Sequence, residues 1–208
     1  MRVQSRYEER LNAITHGFGV LFGVIALILM LLFYDTDEQW ALFSVLVYGF
    51  SIIMLFLSST IYHSMVREQL KYYFRILDHI SIYFLIAGTY TPVLLLLLSD
   101  SRGYLLFWIV WGIAIFGSIL KLFFTGRFEL FSTLLYLVMG WLIVFDYTAL
   151  AERIHPTGLL LLFSGGLFYT VGIVFYAIDK IPFNHVIWHL FVLAGAISHF
   201  LMIWLYIL

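Results

Sequence analysis

The sequence predicts an all-α protein, a bundle of seven transmembrane helices, because of its composition, the length of its apolar runs and the shortness of the connections between them. Of 208 residues, 63% are hydrophobic and 11% are charged, whereas soluble domains carry about 25% charged residues. The chain therefore cannot cover itself with an ordinary hydrated surface. Because the apolar runs use nearly all of the length, we expect a single membrane domain over residues 1–208.

The runs themselves have the length that a bilayer requires. A membrane-spanning helix needs about 20 mainly apolar residues, and the fifth run here is the shortest because it stops before Asp146. No run shows the period-two alternation of a membrane barrel, so helices are expected throughout. Short turn-like connections at 35–37, 100–103 and 181–184 separate some of them. In chain order the runs are 17–34, 39–62, 80–99, 103–120, 130–145, 156–178 and 181–208.

Charge and cysteine content exclude other classes of protein. The formal net charge is −1, which indicates no nucleic-acid partner. The chain has no cysteine, so disulfides and thiolate metal sites are excluded.

The first apolar run is too long for a cleavable signal peptide, and no small-residue cleavage site follows it.

The distribution of basic residues predicts the orientation. The positive-inside rule places the cation-rich side in the cytoplasm, so the N-terminus is expected inside the plasma (inner) membrane and the C-terminus outside. The outer side then carries only Arg102 and Arg153. The inner side carries Arg2, Arg6, Arg10, Arg67, Lys71, Arg75, Lys121, Arg127 and Lys180.

Ionisable residues inside membrane spans are costly and mark candidate functional sites. The predicted topology gathers several of them in the cytoplasmic leaflet, where the first, third and seventh helices open and the second helix ends. These residues are His16, His63, Asp78, His79, His185 and His189.

Spacing indicates which of these residues can act together. His185 and His189 are four residues apart, so both imidazoles project from one helix face. Ser59 and His63 repeat that spacing on the second helix. Three histidines plus water are typical of catalytic zinc sites, in which Asp78 can orient or deprotonate the water. The structural alternative stays open: histidines at helix ends contact headgroups, Ser59 can bond a neighbouring helix, and Asp78 can favour a helix N-terminus.

Other polar or special positions favour structural roles. Asp146 and His155 are expected to be solvated near the outer surface, and His199 to make an interhelical hydrogen bond. Pro92 can kink the third helix. The Gly19-x-x-x-Gly23 spacing predicts close helix packing.

Several motifs together resemble the hemolysin III family, which is the bacterial branch of the progestin and adipoQ receptor superfamily. The site motif of this family is similar to that of the alkaline ceramidases. The matching motifs occur in the family's order and extend over nearly the whole chain. The motifs are Glu9-x-x-Asn12-Ala13-Ile14-Thr15-His16-Gly17, Ser58-Ser59-Thr60-Ile61-Tyr62-His63, Asp78-His79-Ile80-Ser81-Ile82, Ala87-Gly88-Thr89-Tyr90-Thr91-Pro92 and His185-x-x-Trp188-His189.

This resemblance implies a seven-helix bundle that holds an intramembrane zinc ion near the cytoplasmic side. The implied zinc ligands are His63, His185 and His189, accompanied by Ser59 and Asp78. It leaves two roles open for the bacterial-type motif formed by Glu9, Asn12 and His16, which can seal the cytoplasmic mouth of the bundle or contact the site.

Four functions remain to be compared. The leading hypothesis is a zinc-dependent lipid hydrolase, an amidase acting on a ceramide-like or other acylated lipid, with Asp78 as general base and Ser59 bonding the oxyanion. The second is a sensor or regulator of membrane lipid homeostasis in which zinc is only structural. The third is a cytolysin, disfavoured by the absence of a cleavable signal. The fourth is an ion or proton transporter using His199 and Asp146, disfavoured by the absence of repeats. Substrate, oligomeric state and the choice of zinc over other ions stay open.

Overall fold

A computed structural model describes residues 4–34 and 37–208. Arg2, Asp35 and Thr36, which entered the predictions of orientation and connections, lie outside the described residues. Within those two ranges the chain is helical and contains no strand. The α-helices are α1 (Arg6–Phe33), α2 (Ala41–Ser64), α3 (Glu68–Pro92), α4 (Gly103–Phe124), α5 (Glu129–Gly140), α6 (Tyr147–Arg153), α7 (Pro156–Ala177) and α8 (Asn184–Tyr206).

These helices form seven segments, among the described residues, that are long and apolar enough to cross a membrane. The third continues past α3 through a π-helical turn, Val93–Leu97, directly after Pro92. A proline has no N–H to donate, so a local departure from α-helical bonding is expected there. The fifth consists of α5, the 3₁₀ turn Leu142–Asp146 and α6. The all-α, seven-helix, multi-pass prediction is confirmed.

Two helices begin earlier than predicted. α1 starts at Arg6 and α3 at Glu68, because a helix continues through charged residues at the membrane boundary when their side chains find partners. Ser5 caps α1 by accepting from the Glu8 N–H. The prediction that Asp78 opens its helix is therefore wrong. Asp78 lies about 15 Å along the axis of α3 from Glu68, at 1.5 Å per residue.

Each helix packs on its neighbours through its buried face. α1 lies between α2 and α8, α8 also packs on α7, and α3 contacts α2, α4 and α5. We call one end of the bundle its N-terminal end. It contains the start of α1 at Arg6, the end of α2 at Ser64 and the starts of α3 and α8. The buried stripe of α1 repeats every three or four residues and faces α2 and α8. It contains Asn12, His16, Gly19, Gly23, Ala26 and Met30.

Ion pairs mark both ends of the bundle. At the N-terminal end, Lys71 Nζ lies 2.7 Å from Glu9 and Lys121 Nζ lies 2.8 Å from Glu129. At the opposite end, Arg153 pairs with Asp100. Lys71 and Lys121 at the N-terminal end thus each lie close to a carboxylate of opposite charge.

The environment of Asp146 differs from the predicted one, since the residue is buried and not solvated. Its carboxylate accepts from the Ser101 hydroxyl at 2.9 Å and from the Arg102 N–H at 3.0 Å. The loop before α4 therefore folds over the residue and replaces water. An exposed His155 and an interhelical bond from His199 Nε2 to the Leu162 carbonyl at 3.0 Å are confirmed.

The close packing predicted for Gly19 and Gly23 is also confirmed and can be tested by substitution. A Cβ at Gly19 would lie 2.3 Å from a ring atom of the fully buried Phe56. We expect Gly19→Ala to destabilise the protein by about 1–3 kcal/mol through overpacking. The measurement is the thermal unfolding midpoint in detergent.

The matched control for that substitution is Gly112→Ala in α4, where an added Cβ meets no atom within 4 Å. Alanine favours helix over glycine, so this variant should unfold at the same temperature or slightly higher. Equal stability of the two variants would contradict close packing of α1 on α2.

Candidate metal centre

Three histidines meet at the N-terminal end of the bundle. His63 comes from the last turn of α2, and His185 and His189 from the first two turns of α8. One ligand atom of each lies within 4.8 Å of the others. The four-residue spacing on α8 brings its two ring centroids to 4.6 Å, and His63 lies 5.1 Å from His185 and 5.0 Å from His189.

This arrangement can hold a metal ion. Tetrahedral zinc, with Zn–N bonds of about 2.0–2.1 Å, needs ligand nitrogens about 3.4 Å apart. Small side-chain rotations bring atoms within 4.8 Å to that spacing. His63 Nε2 is buried and makes no hydrogen bond within the described residues. A buried nitrogen without a partner is costly, and a metal ion would satisfy it.

The other nitrogen of two of these rings is bound by α1. His63 Nδ1 lies 2.7 Å from Glu9 Oε2. His189 Nδ1 lies 3.3 Å from the Asn12 carbonyl oxygen. The sequence predicted the three histidines, but for Glu9 and Asn12 it left open whether they contact the site or seal the mouth of the bundle.

A fourth imidazole, that of His16, packs on the cluster. Its ring stacks on His189 with centroids 3.5 Å apart and planes at 10°, and it makes a T-shaped contact with the Phe56 ring. Both ring nitrogens are buried without a hydrogen-bond partner in the described chain. His16 was predicted in this leaflet, but its stacking depends on the contact between α1 and α8, which spacing alone does not reveal.

Ser59 and Asp78 lie beside the histidines, on the wall of a cavity of about 150 Å³ that His185 and His189 also line. Within the described residues the buried Ser59 hydroxyl makes no hydrogen bond of ordinary length, and it interacts with the Asp78 carboxylate. Asp78 also interacts with His63. The five site residues that the sequence predicted therefore lie in one region.

His79 belongs to a different polar cluster. Its Nδ1 donates to the Arg75 carbonyl at 2.7 Å, and its Nε2 lies 3.9 Å from Glu129. Glu129 also binds Arg75 and the buried Lys121. Sequence reasoning missed this network, although Lys121 and Glu129 flank one short connection.

The cavity continues away from the histidines into the bundle. Along α8 its wall extends from His185 to His199, about 21 Å at 1.5 Å per residue. Beyond the histidine end its lining is mainly apolar, with Leu85, Ile86 and Val93 from α3 and its π-helical turn. The site thus combines a polar end with a long apolar extension.

Fold and site together define a seven-helix membrane protein with a three-histidine cluster, able to hold a metal ion, at one end of an apolar cavity. The chain belongs to the haemolysin-III-related family, whose model matches residues 4–200. The resemblance found from the motifs is confirmed.

Three relatives extend this result. The hemolysin-3 homolog of Bacillus subtilis is 45% identical over 200 residues, covering 96% of this chain and 94% of that protein. Hemolysin-3 of Bacillus cereus is 45% identical over 202 residues, covering 97% and 92%. The human monocyte to macrophage differentiation factor is 32% identical over 207 residues, covering 97% and 85%.

Proposed function

We propose that this protein is a zinc-dependent intramembrane hydrolase that cleaves the amide bond of a ceramide-like or other acylated lipid. The observation that carries the proposal is the convergence of His63, His185 and His189 beside Asp78 and Ser59 at the polar end of an apolar cavity. Zinc bound by the three imidazoles would supply a Lewis acid and lower the pKa of a water ligand toward about 7.

Asp78 supplies the proton transfers. Its carboxylate accepts a proton as the oxygen of water attacks the amide carbonyl carbon. It then gives that proton to the nitrogen as the C–N bond breaks, which leaves a fatty acid and an amine. Its position on the cavity wall, near His63 and Ser59, supports this role.

Ser59 stabilises charge on the carbonyl oxygen. Its hydroxyl is buried beside the Asp78 carboxylate and makes no hydrogen bond of ordinary length within the described residues, so it can donate to a substrate. The adjacent Ser58 differs, because its hydroxyl donates to the Leu55 carbonyl at 3.0 Å and lies 3.0 Å from the Ser81 hydroxyl. Of these two serines, Ser59 is therefore the one that can serve the reaction.

The shape of the cavity supports an acylated substrate. Its extent of about 21 Å along α8 exceeds half of a hydrocarbon core of about 30 Å. The lining is therefore about as long as an extended acyl chain whose amide group lies at the histidines. The substrate proposed is a lipid that stays in the bilayer while the amide bond to its acyl chain reacts.

The proposed placement is the plasma membrane, with the N-terminus in the cytoplasm, the C-terminus outside and the site in the cytoplasmic leaflet. Of the nine basic residues predicted inside, the eight that are described belong to segments at the N-terminal end of the bundle. Arg102 and Arg153 belong to the opposite end. The positive-inside rule assigns the richer end to the cytoplasm.

A non-catalytic role is the second candidate. The three histidines join α2 to α8, so a bound ion would link two helices and stabilise the bundle as a sensor or regulator of membrane lipids. In that case metal removal lowers the unfolding temperature, while no lipid is consumed.

Metal removal and lipid analysis test the first candidate against the second. We expect purified protein in vesicles containing ceramides and other N-acylated lipids to release free fatty acid, detected by mass spectrometry. Release should stop after chelation and return with zinc, and it should not return with magnesium, which imidazoles bind weakly. Zinc-loaded protein that leaves every lipid intact contradicts the hydrolase. Leakage of the same vesicles is recorded in parallel. It tests for the membrane lysis to which the name hemolysin refers.

A further inference from the structure

Helix α1 carries polar groups that contact the histidine cluster, and two of them, Glu9 and Asn12, do not line the cavity. We propose that Glu9 and the Asn12 carbonyl are positioning groups, which orient His63 and His189 through Nδ1 so that Nε2 of both rings faces the metal. This inference rests on the proposed metal site. It gives a function to the Glu9, Asn12 and His16 motif.

The contact of Glu9 determines which nitrogen of His63 is free. An ionised carboxylate only accepts hydrogen bonds, so at 2.7 Å from Glu9 Oε2 the His63 Nδ1 carries the proton. With its proton on Nδ1, this imidazole can offer a lone pair to a metal ion only from Nε2. That nitrogen is the buried one for which the described part of the chain provides no hydrogen-bond partner.

The contact of Asn12 has the same consequence for His189. A backbone carbonyl also only accepts, so His189 Nδ1 donates to Asn12 at 3.3 Å. The Thr15 hydroxyl lies 3.4 Å from the same nitrogen and donates to the Leu11 carbonyl at 2.9 Å. The lone pair of His189 is therefore also on Nε2. Within the described residues His185 makes no hydrogen bond, and its ring packs on Tyr176 with centroids 5.9 Å apart.

Helical periodicity explains why one segment reaches both rings. Glu9, Asn12 and His16 are three and four residues apart, so they share one face of α1. Asn12 and His16 are buried, at 0% and 3% exposed. The His16 ring stacks on His189 and limits its rotation. The motif thus acts as one surface that holds two metal ligands.

A rival explanation gives Glu9 a structural role only. Its second oxygen, Oε1, lies 2.7 Å from Lys71 Nζ, and this ion pair joins α1 to α3. The pair is partly exposed, so its direct contribution to stability is small. Lys71→Met removes this ion pair and leaves the Glu9–His63 contact in place, which makes it the matched control.

The test measures zinc affinity of the full-length protein in detergent by competition with a chelator of known affinity. Loss of a partner outside the ligand set typically weakens metal binding 10–100-fold. We expect a loss in that range for Glu9→Ala, a smaller one for Glu9→Gln, and less than about threefold for Lys71→Met. Metal-free Glu9→Ala should unfold at a lower temperature than metal-free Lys71→Met, because it also leaves the buried His63 Nδ1 without its partner.

The outcomes separate this inference from the proposed function. Wild-type affinity in both Glu9 variants, with zinc bound normally in wild type, overturns the positioning role alone. An equal loss in Lys71→Met also overturns it, because the ion pair would then be the cause. Absence of zinc binding in wild-type protein overturns the metal site itself and this inference with it.

Discussion

Replacement of His185 and His189 together by alanine should remove the bound metal and abolish turnover. Wild-type protein is expected to hold about one zinc ion per chain, by analogy with three-histidine sites. The double variant keeps only His63, and a single imidazole binds zinc too weakly to retain the ion during purification in detergent. Elemental analysis of purified protein measures the loss directly, and fatty-acid release measures its consequence.

A histidine outside the cluster provides the control. His155 is exposed and caps α7 by accepting from the Thr157 N–H at 3.2 Å. His155→Ala should therefore retain zinc and turnover, with at most a small loss of stability. Wild-type zinc content in the His185→Ala/His189→Ala variant would show that the cluster is not the metal site.

Thermal unfolding adds a readout that does not depend on finding the substrate. A ligand that binds only the folded state stabilises it by about 4.1 kcal/mol at a free concentration 1,000 times its dissociation constant. Wild-type protein should therefore unfold at a higher temperature with zinc than after chelation. In the double variant the two temperatures should coincide.

The spans were predictable because bilayer thickness leaves little choice. Seven apolar runs of adequate length had to become helices, since lipid cannot satisfy backbone polar groups. The starts of α1 and α3 were wrong because charge-free runs were used to locate helix ends. Lys71 on α3 pairs with Glu9 on α1, and such pairs let helices continue past the apolar run.

The membership of the candidate site was also predictable, because it follows from period and topology. A spacing of four residues puts His185 and His189 on one face, and alternating spans place His63 at the same end. Its surroundings were not predictable. The Glu9–His63 contact joins residues 54 positions apart, and only the packing of α1 on α2 determines it.

Asp146 illustrates the same limit from the opposite end. Its place near a predicted span end indicated solvation, but burial was decided by the Ser101 and Arg102 groups of a distant loop. Local sequence does not encode such contacts. Polar residues near span ends therefore need tertiary structure before a role is assigned to them.

Asp78→Asn should separate catalysis from metal binding. Asparagine keeps the shape of the side chain but cannot accept a proton, so turnover should fall by about 10²–10⁴-fold, the usual contribution of a general base. Zinc content should stay near that of wild type, because the candidate metal ligands are the three clustered histidines and do not include Asp78. Fatty-acid release and elemental analysis on the same preparation measure the two effects.

Two further variants determine what an inactive Asp78→Asn protein means. Asp37→Asn changes an exposed carboxylate in the connection before α2, at the opposite end of the bundle, and should be fully active. Ser59→Ala removes one donor to the oxyanion and should lower turnover by about 10²–10³-fold with zinc retained. Loss of zinc together with activity in Asp78→Asn would assign the carboxylate to metal binding and not to proton transfer. Full activity in Asp78→Asn would show that hydrolysis uses another base.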